Sequence, residues 1–239
     1  DEMAEQLAQT DAARRQLLSD LAHELRTPLA TLEAHIDGME DGVVPSSADS
    51  YAVMRHQVAR LRRLATDLKV LTAVEAHALE LQIQELKTNA MVSAACGSAE
   101  LRYEAKGVEL RCLQPGSDVV VMADPDRLQQ VLSNLLDNAL RHTPEGGSVD
   151  VSCEHTAAEV TISVSDTGDG IASDQLDAVF DRFHRADASR RNDGEGSGLG
   201  LTIARAIVID HGGTLIAQSE GLGRGAVFRV TLPRAGAHE

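Results

Sequence analysis

A helical hairpin followed by an α/β sandwich is the fold this sequence predicts, and three patterns predict it. Apolar residues recur every three or four positions through residues 1–40 and again through 49–77. Between them DGVVPSS, Asp41 to Ser47, carries the glycine and proline of a turn. From residue 79 the chain changes to short alternating segments interleaved with three helical ones, the pattern of one mixed, largely antiparallel sheet covered by helices on one face.

The 239 residues, 43% of them hydrophobic, suffice for two modest cores. A formal charge of -15 sets the chain against nucleic acid and anionic membrane surfaces as direct partners, since both are polyanions. No run approaches the roughly 20 apolar residues that cross a bilayer, and neither a membrane span nor a signal peptide is expected within these residues. Cys96, Cys112 and Cys153 show no metal-ligand spacing and read as ordinary buried or half-buried residues of a reducing compartment. Repeats and low-complexity tracts are absent.

In the first helix Leu18, Ala22, Leu25, Leu29, Leu32 and Ile36 form one apolar stripe. His23 falls roughly 160° away from it, facing solvent, with Glu24 beside it and Thr27 one turn on. Pro28 removes the hydrogen bond to the Glu24 carbonyl, so a bend just past the histidine is expected. The second helix, Asp49 to His77, carries a bundle seam at Tyr51, Met54, Val58, Leu61, Leu64 or Ala65, Leu68 and Leu71. One hairpin cannot bury both seams, so a homodimeric four-helix bundle is expected.

A short strand near Leu79 to Gln84 opens the second part, followed by a helix from Asn89 to Ala105 and strands at Val108 to Leu113 and Val119 to Ala123. Asp124 and Pro125 read as the N-cap and first position of the next helix, which Pro144 to Gly147 stops. Strands at Ser148 to Glu154 and Glu159 to Ser165, a helix after the Gly194 to Gly200 loop, and a hairpin at Thr214 to Ser219 and Gly225 to Leu232 complete the chain.

Four segments carry chemistry. Asn134 and Asn138 lie four apart on one helix face, where neutral amides offer oxygen to a hard cation and N–H groups to phosphate without repelling a polyanion. VTISVSDTGDGI ends a strand in Asp166, Gly168 and Gly170: a carboxylate that can accept from an adenine amino group, and glycines that let backbone approach a ring. GEGSGLGL, Gly194 to Leu201, runs into an apolar helix whose first N–H groups stabilise phosphate oxygens. Between these, Val179 to Gly196 contains Phe180 and Phe183, two of three phenylalanines, with Arg182, Arg185, Arg190 and Arg191 in an otherwise acidic chain.

HELRTPL, NLLDNALRHT within Asp124 to Gly147, SDTGDG and GSGLGL together resemble, in order, the phosphoacceptor, N, G1 and G2 boxes of bacterial two-component sensor histidine kinases, and the likeness covers about Asp11 to Pro233. The resemblance implies a dimerisation and phosphotransfer hairpin at 1–78, a catalytic ATP-binding domain at 79–235 of the fold shared with gyrase-type topoisomerases and heat-shock chaperones, and a tail at 236–239. It implies ATP and Mg²⁺, with His23 phosphorylated, Glu24 assisting and Thr27 orienting water in the reverse, phosphatase reaction. ATP is expected at Asn134, Asn138, Arg141, His142, Asp166, Gly168, Gly170, Arg185, Arg190, Gly196, Gly198, Leu199, Gly200 and Leu201, and Mg²⁺ at the two asparagines. The segment from Val179 to Gly196 is then a lid over the triphosphate. The partner implied is a response regulator receiver domain. Without an initiator Met or a helix cap at its start, the chain is expected to be the cytoplasmic portion of a bacterial inner-membrane sensor.

Arg141 and His142 depart from the Lys and Tyr of many family members; arginine preserves phosphate charge and histidine can still stack on adenine. Two other readings are an ATP-hydrolysing enzyme of the same fold and an inactive scaffold. The former places a glutamate where this chain has Asn134, which lacks the carboxylate that activates water, and the latter leaves the filled boxes without a purpose.

Overall fold

The structure, a computed structural model, describes residues 2–75, 80–113, 118–184 and 198–235, with main chain alone for 2–14 and 74–75. Of these, residues 2–69 form one compact unit, and 70–75, 80–113, 118–184 and 198–235 a second.

The first unit is an antiparallel pair of helices, α1 (Glu2–Glu40) and α2 (Ala48–Glu75, whose last turns pass into the second unit). α1 runs through Pro28 as one helix, and the proline is buried, so the ring that costs a backbone hydrogen bond also supplies apolar contact area. Gly42, at φ 70°, makes the left-handed step of the turn, and Val44 N donates to Gly38 O at 2.7 Å. Ser47 Oγ accepts from Ser50 N at 3.2 Å, an N-terminal cap for α2.

The apolar stripe predicted for α1 is not the one this hairpin buries. Leu17 and Pro28 are buried, with Leu21, Leu25, Leu32 and His35 half-buried, whereas Leu18 (57% exposed), Leu29 (46%) and Ile36 (44%) face outward. On α2, Leu64 is buried but Tyr51 and Val58 are exposed. Each helix thus has two apolar strips side by side. The inner pair meets within the hairpin and the outer pair remains open.

The second unit holds a five-stranded sheet in the order β2-β4-β5-β7-β6, built from β2 (Glu109–Leu113), β4 (Ser148–His155), β5 (Glu159–Asp166), β6 (Thr214–Gln218) and β7 (Ala226–Pro233). β2 and β4 are parallel and the other neighbours antiparallel, so the sheet is mixed and largely antiparallel, as the hairpin spacing predicts. Val149, Val151, Val160, Ile162, Val164, Phe228, Val230 and Leu232 alternate inward and are buried. Three helices pack on that face: α3 (Thr88–Lys106), α4 (Pro125–His142) and α5 (Gly200–Asp210).

The strand expected at Leu79 to Gln84 lies further on. β1 (Gln84–Lys87) pairs antiparallel with β3 (Val120–Ala123) in a separate two-stranded ladder. Gln82 N donates instead to Asp124 Oδ2 at 3.0 Å, residues 80–83 are outside strand geometry, and Leu79 lies outside the described residues. Among the described residues no helix is long and apolar enough to cross a membrane.

Candidate active site

Asp124 caps α4, its Oδ1 accepting from Arg127 N at 3.1 Å, with Pro125 at the first helical position. The cap fixes where α4 starts, and hence which face presents Asn134 and Asn138. Leu128, Val131, Leu132, Leu135, Leu136 and Ala139 are buried against the sheet and α5, leaving both asparagines half-buried on the flank. Asn134 Nδ2 donates to Gly200 O at 2.9 Å, tying α4 to the start of α5. With its nitrogen committed, the oxygen of Asn134 is the end left to accept a donor or a cation. Asn138 has no side-chain partner among the described residues.

Asp166 ends β5 opposite Val149 and Ala226 and is 6% exposed. Its Oδ1 accepts from Gly168 N at 2.9 Å and Ala226 N at 3.2 Å. Burial pushes its carboxyl above the ordinary aspartate value, and the two backbone N–H bonds pull the other way. One oxygen is thus pinned, and the other can accept a further donor.

The glycines after Asp166 answer first to the protein's own backbone. A Cβ on Gly168 would overlap His142 O, and one on Gly170, at φ 70°, would overlap Gly221 O. Asp169 N donates to His142 O at 3.1 Å, and Gly223 N to Asp169 O at 2.6 Å. The 168–170 turn is therefore clamped between the end of α4 and the β6–β7 turn, which holds Asp166 in place. His142, expected to stack on a base, has Nδ1 3.2 Å from Asp169 Oδ2. Arg141 is exposed at the same helix end.

At the start of α5, Leu199 is fully buried, Gly200 and Leu201 are half-buried, and the first-turn N–H groups have no helical acceptor. Gly198 O accepts from Phe183 N at 2.9 Å, and Thr202 Oγ1 donates to Phe180 O at 2.8 Å. Phe180 is buried edge-on against Phe228, with Arg205 over its ring at 5.0 Å. Phe183 sits half-buried at φ 56°. Arg185, Arg190 and Gly196 lie outside the described residues.

On the helical hairpin His23 and Thr27 are exposed, on the face that helical periodicity assigns them. His23 has no side-chain partner among the described residues. Thr27 Oγ1 stands 3.5 Å from His23 O, the limit of a hydrogen bond. Glu24 departs from expectation: its Oε2 accepts from Arg60 Nη2 at 2.9 Å inside the hairpin, with side chains 14% and 10% exposed. Adjacent helix positions point about 100° apart, so a carboxylate seated on α2 is not at its neighbour's ring.

Residues 13–77 match the family model described as His Kinase A (phospho-acceptor) domain, and residues 123–236 match Histidine kinase-, DNA gyrase B-, and HSP90-like ATPase. The signal transduction histidine-protein kinase BaeS of Escherichia coli K12 is 35% identical over 233 residues, 98% of this chain and 50% of BaeS. The chain belongs to the sensor histidine kinases. The structure resembles that of the Acinetobacter baumannii histidine kinase AdeS with a TM-score of 0.75 and 27% identity, covering 90% of this chain and 98% of that one. It resembles full-length ShkA in complex with AMPPNP with a TM-score of 0.69 and 27% identity, covering 92% of this chain and 46% of that one. The chain spans about half the length of BaeS.

Three residues that shape these elements were not singled out from sequence. Gly225, at φ 69°, is where a Cβ would overlap Asp166 O. Ser219 Oγ accepts from Ile171 N at 3.0 Å and donates to Gly225 O at 2.6 Å, fastening the same turn. Arg60 is a charge in phase with Leu64 and Leu71, and that intrusion into an apolar row was the available signal.

Proposed function

We propose that this chain transfers the γ-phosphoryl group of ATP to His23 and from there to an aspartate of a response regulator receiver domain. The observation that carries the reading is Asp166: a carboxylate 6% exposed, one oxygen held by two backbone N–H groups, at the head of a turn bonded to the end of α4, the helix whose Asn134 is tied to the N–H-rich start of α5. That arrangement supplies an acceptor for an adenine amino group and donors for phosphate oxygens. A nucleotide analogue is bound in the ShkA complex, and the family membership of both domains supports the same use here.

His23 attacks through an imidazole nitrogen. A nitrogen–phosphorus bond forms, the bond from the γ-phosphorus to the β–γ bridging oxygen breaks, and ADP leaves with that electron pair. Glu24 takes up the proton shed from the other ring nitrogen. Asn134, whose side chain is bonded to Gly200 O, has no carboxylate to activate water, which favours transfer over hydrolysis. Asn134 and Asn138 would hold Mg²⁺ through their amide oxygens, and the donor set fits: one amide has its nitrogen already committed and the other has no partner among the described residues. When bound, that ion offsets charge developing on the leaving phosphate. Arg141, Arg185 and Arg190 are proposed for the phosphates, His142 for the base, and Thr27 for orienting water in dephosphorylation of the regulator. The full-length protein is proposed to be a membrane sensor of which this is the cytoplasmic part.

His23→Gln is expected to abolish incorporation of label from γ-labelled ATP while leaving nucleotide affinity unchanged. The label on the unaltered protein should be acid-labile and alkali-stable. Retained labelling in His23→Gln removes His23 from its role.

A further inference from the structure

The Glu24–Arg60 pair stands one residue from the phosphoacceptor and joins the two helices of the hairpin. Arg60 is 8% exposed among the apolar residues of α2, a place for a charge only when it is paired. Its partner Glu24 is the carboxylate adjacent to His23, yet its Oε2 lies on Arg60 Nη2 at 2.9 Å. His23 itself is exposed and has no side-chain partner among the described residues. A carboxylate engaged on α2 cannot at the same moment receive a proton from the ring of its helical neighbour, because the two side chains diverge from the axis.

We infer that Arg60 is a positioning residue that stores Glu24 away from His23, so that phosphoryl transfer proceeds from a minor population in which the pair has opened. The inference rests on Glu24 being the proton acceptor proposed above. The hairpin then has two arrangements: Glu24 on Arg60, with His23 unassisted, and Glu24 swung to the His23 face, with the guanidinium left to water. Anything that moves α2 relative to α1 at this level changes the balance between them, and the rate of His23 phosphorylation follows the open fraction. A shift of either helix by a fraction of a turn is enough to alter a contact of 2.9 Å.

A series at position 60 tests this by autophosphorylation at saturating ATP. Arg60→Lys keeps a charge with a weaker hold, and Arg60→Gln keeps only a neutral donor. The expected order of initial rates is unaltered protein, then Arg60→Lys, then Arg60→Gln, the last about threefold or more above the first. Nucleotide affinity stays constant across the series, and thermal stability falls in the reverse order of the rates. A residue that only braces the hairpin gives slower or equal transfer as stability falls, and that result overturns the proposal. The same series in a Glu24→Gln background is expected to be flat and slow. If Glu24→Gln slows transfer but the position-60 series remains flat in its presence or absence, the store is wrong and the proton-acceptor reading stands. If Glu24→Gln leaves the rate unaltered, both fall. Should Arg60→Gln lose helicity by circular dichroism, Arg60→Lys against the unaltered protein decides, an increase supporting the store and none overturning it.

Discussion

Asp166, proposed to accept a hydrogen bond from an adenine amino group, accepts best when ionised, and its burial opposes ionisation. Burial raises its carboxyl above the ordinary aspartate value, and the Gly168 and Ala226 amides oppose the rise. A carboxyl raised in the folded state is neutralised at a higher pH than in the unfolded chain, so ionising it costs folding stability above its folded value. Ligand acceptance has the opposite preference: it is complete above that value and is lost as pH falls through it. Adenine-nucleotide affinity should therefore weaken on acidification from neutrality before reaching the ordinary carboxylate range near about 4. Asp166→Asn is expected to lower affinity roughly tenfold or more at neutral pH and to remove this component of the pH dependence. Calorimetric titration of both proteins cancels the nucleotide's own ionisation, and parallel pH profiles would remove Asp166 from adenine recognition. Thr27 is argued at the same scale. Its hydroxyl spends little on the His23 carbonyl at 3.5 Å and is exposed beside the imidazole, available to hold a water. Thr27→Ala should retain His23 phosphorylation and lose most of the dephosphorylation of the cognate regulator. Equal decay of the phosphorylated regulator with either protein, at controlled ADP, excludes it.

Among elements, the β6–β7 turn does the least visible work in the sequence and some of the most important in the structure. Gly225 lies at φ 69° directly against the Asp166 carbonyl, Gly225 N donates to Gly168 O at 3.1 Å, and Ser219 Oγ links Ile171 to Gly225. Gly225→Ala should force this turn away from β5, destabilising the domain by about 2 kcal/mol or more and weakening nucleotide binding with it. Thermal unfolding and calorimetry measure the two effects, and a stable variant with unchanged affinity contradicts the clamp. Local rules made much of this fold legible. The Asp124–Pro125 start of α4 follows from capping chemistry, and the strands β4 to β7 follow from period-two alternation, to within one residue at each end. What was not legible depends on partners distant in the chain. β1 is shifted because Gln82 is drawn to Asp124, 42 residues on. Gly168 is small because it meets His142, and Glu24 faces inward because Arg60 waits on another helix. The buried His211 is a further case: its Nε2 accepts from Asp124 N at 3.0 Å and its Nδ1 donates to Ile207 O at 2.7 Å, joining the start of α4 to the end of α5. Periodicity records which face a side chain takes, and says nothing about which distant group will meet it there.

For the whole molecule the open question is what covers the outer strips of the hairpin. Leu18, Leu29 and Ile36 on α1 and Tyr51 and Val58 on α2 are 44–57% exposed, in phase with the half-buried Leu25, Leu32 and Leu61. Single exposed leucines are ordinary, but rows of them along two adjacent helices form a patch that water penalises at about 25 cal/mol per Å². A second copy of the hairpin offers the same rows in reverse order about a two-fold axis, so that each covers the other and four helices enclose one core. The inner strip, with Leu17, Pro28 and Leu64, is already spent within one chain, which separates the requirements for hairpin formation from those for dimerisation. Leu29→Glu with Val58→Glu places charges on the outer strips and, across the two-fold, opposes like charges in a closed core. The doubly substituted protein should keep its helical circular dichroism, because neither side chain is buried in the hairpin, and should scatter light as a single chain of 25.5 kDa. The unaltered protein should scatter as twice that mass at micromolar concentration, and finding it monomeric there refutes the four-helix bundle.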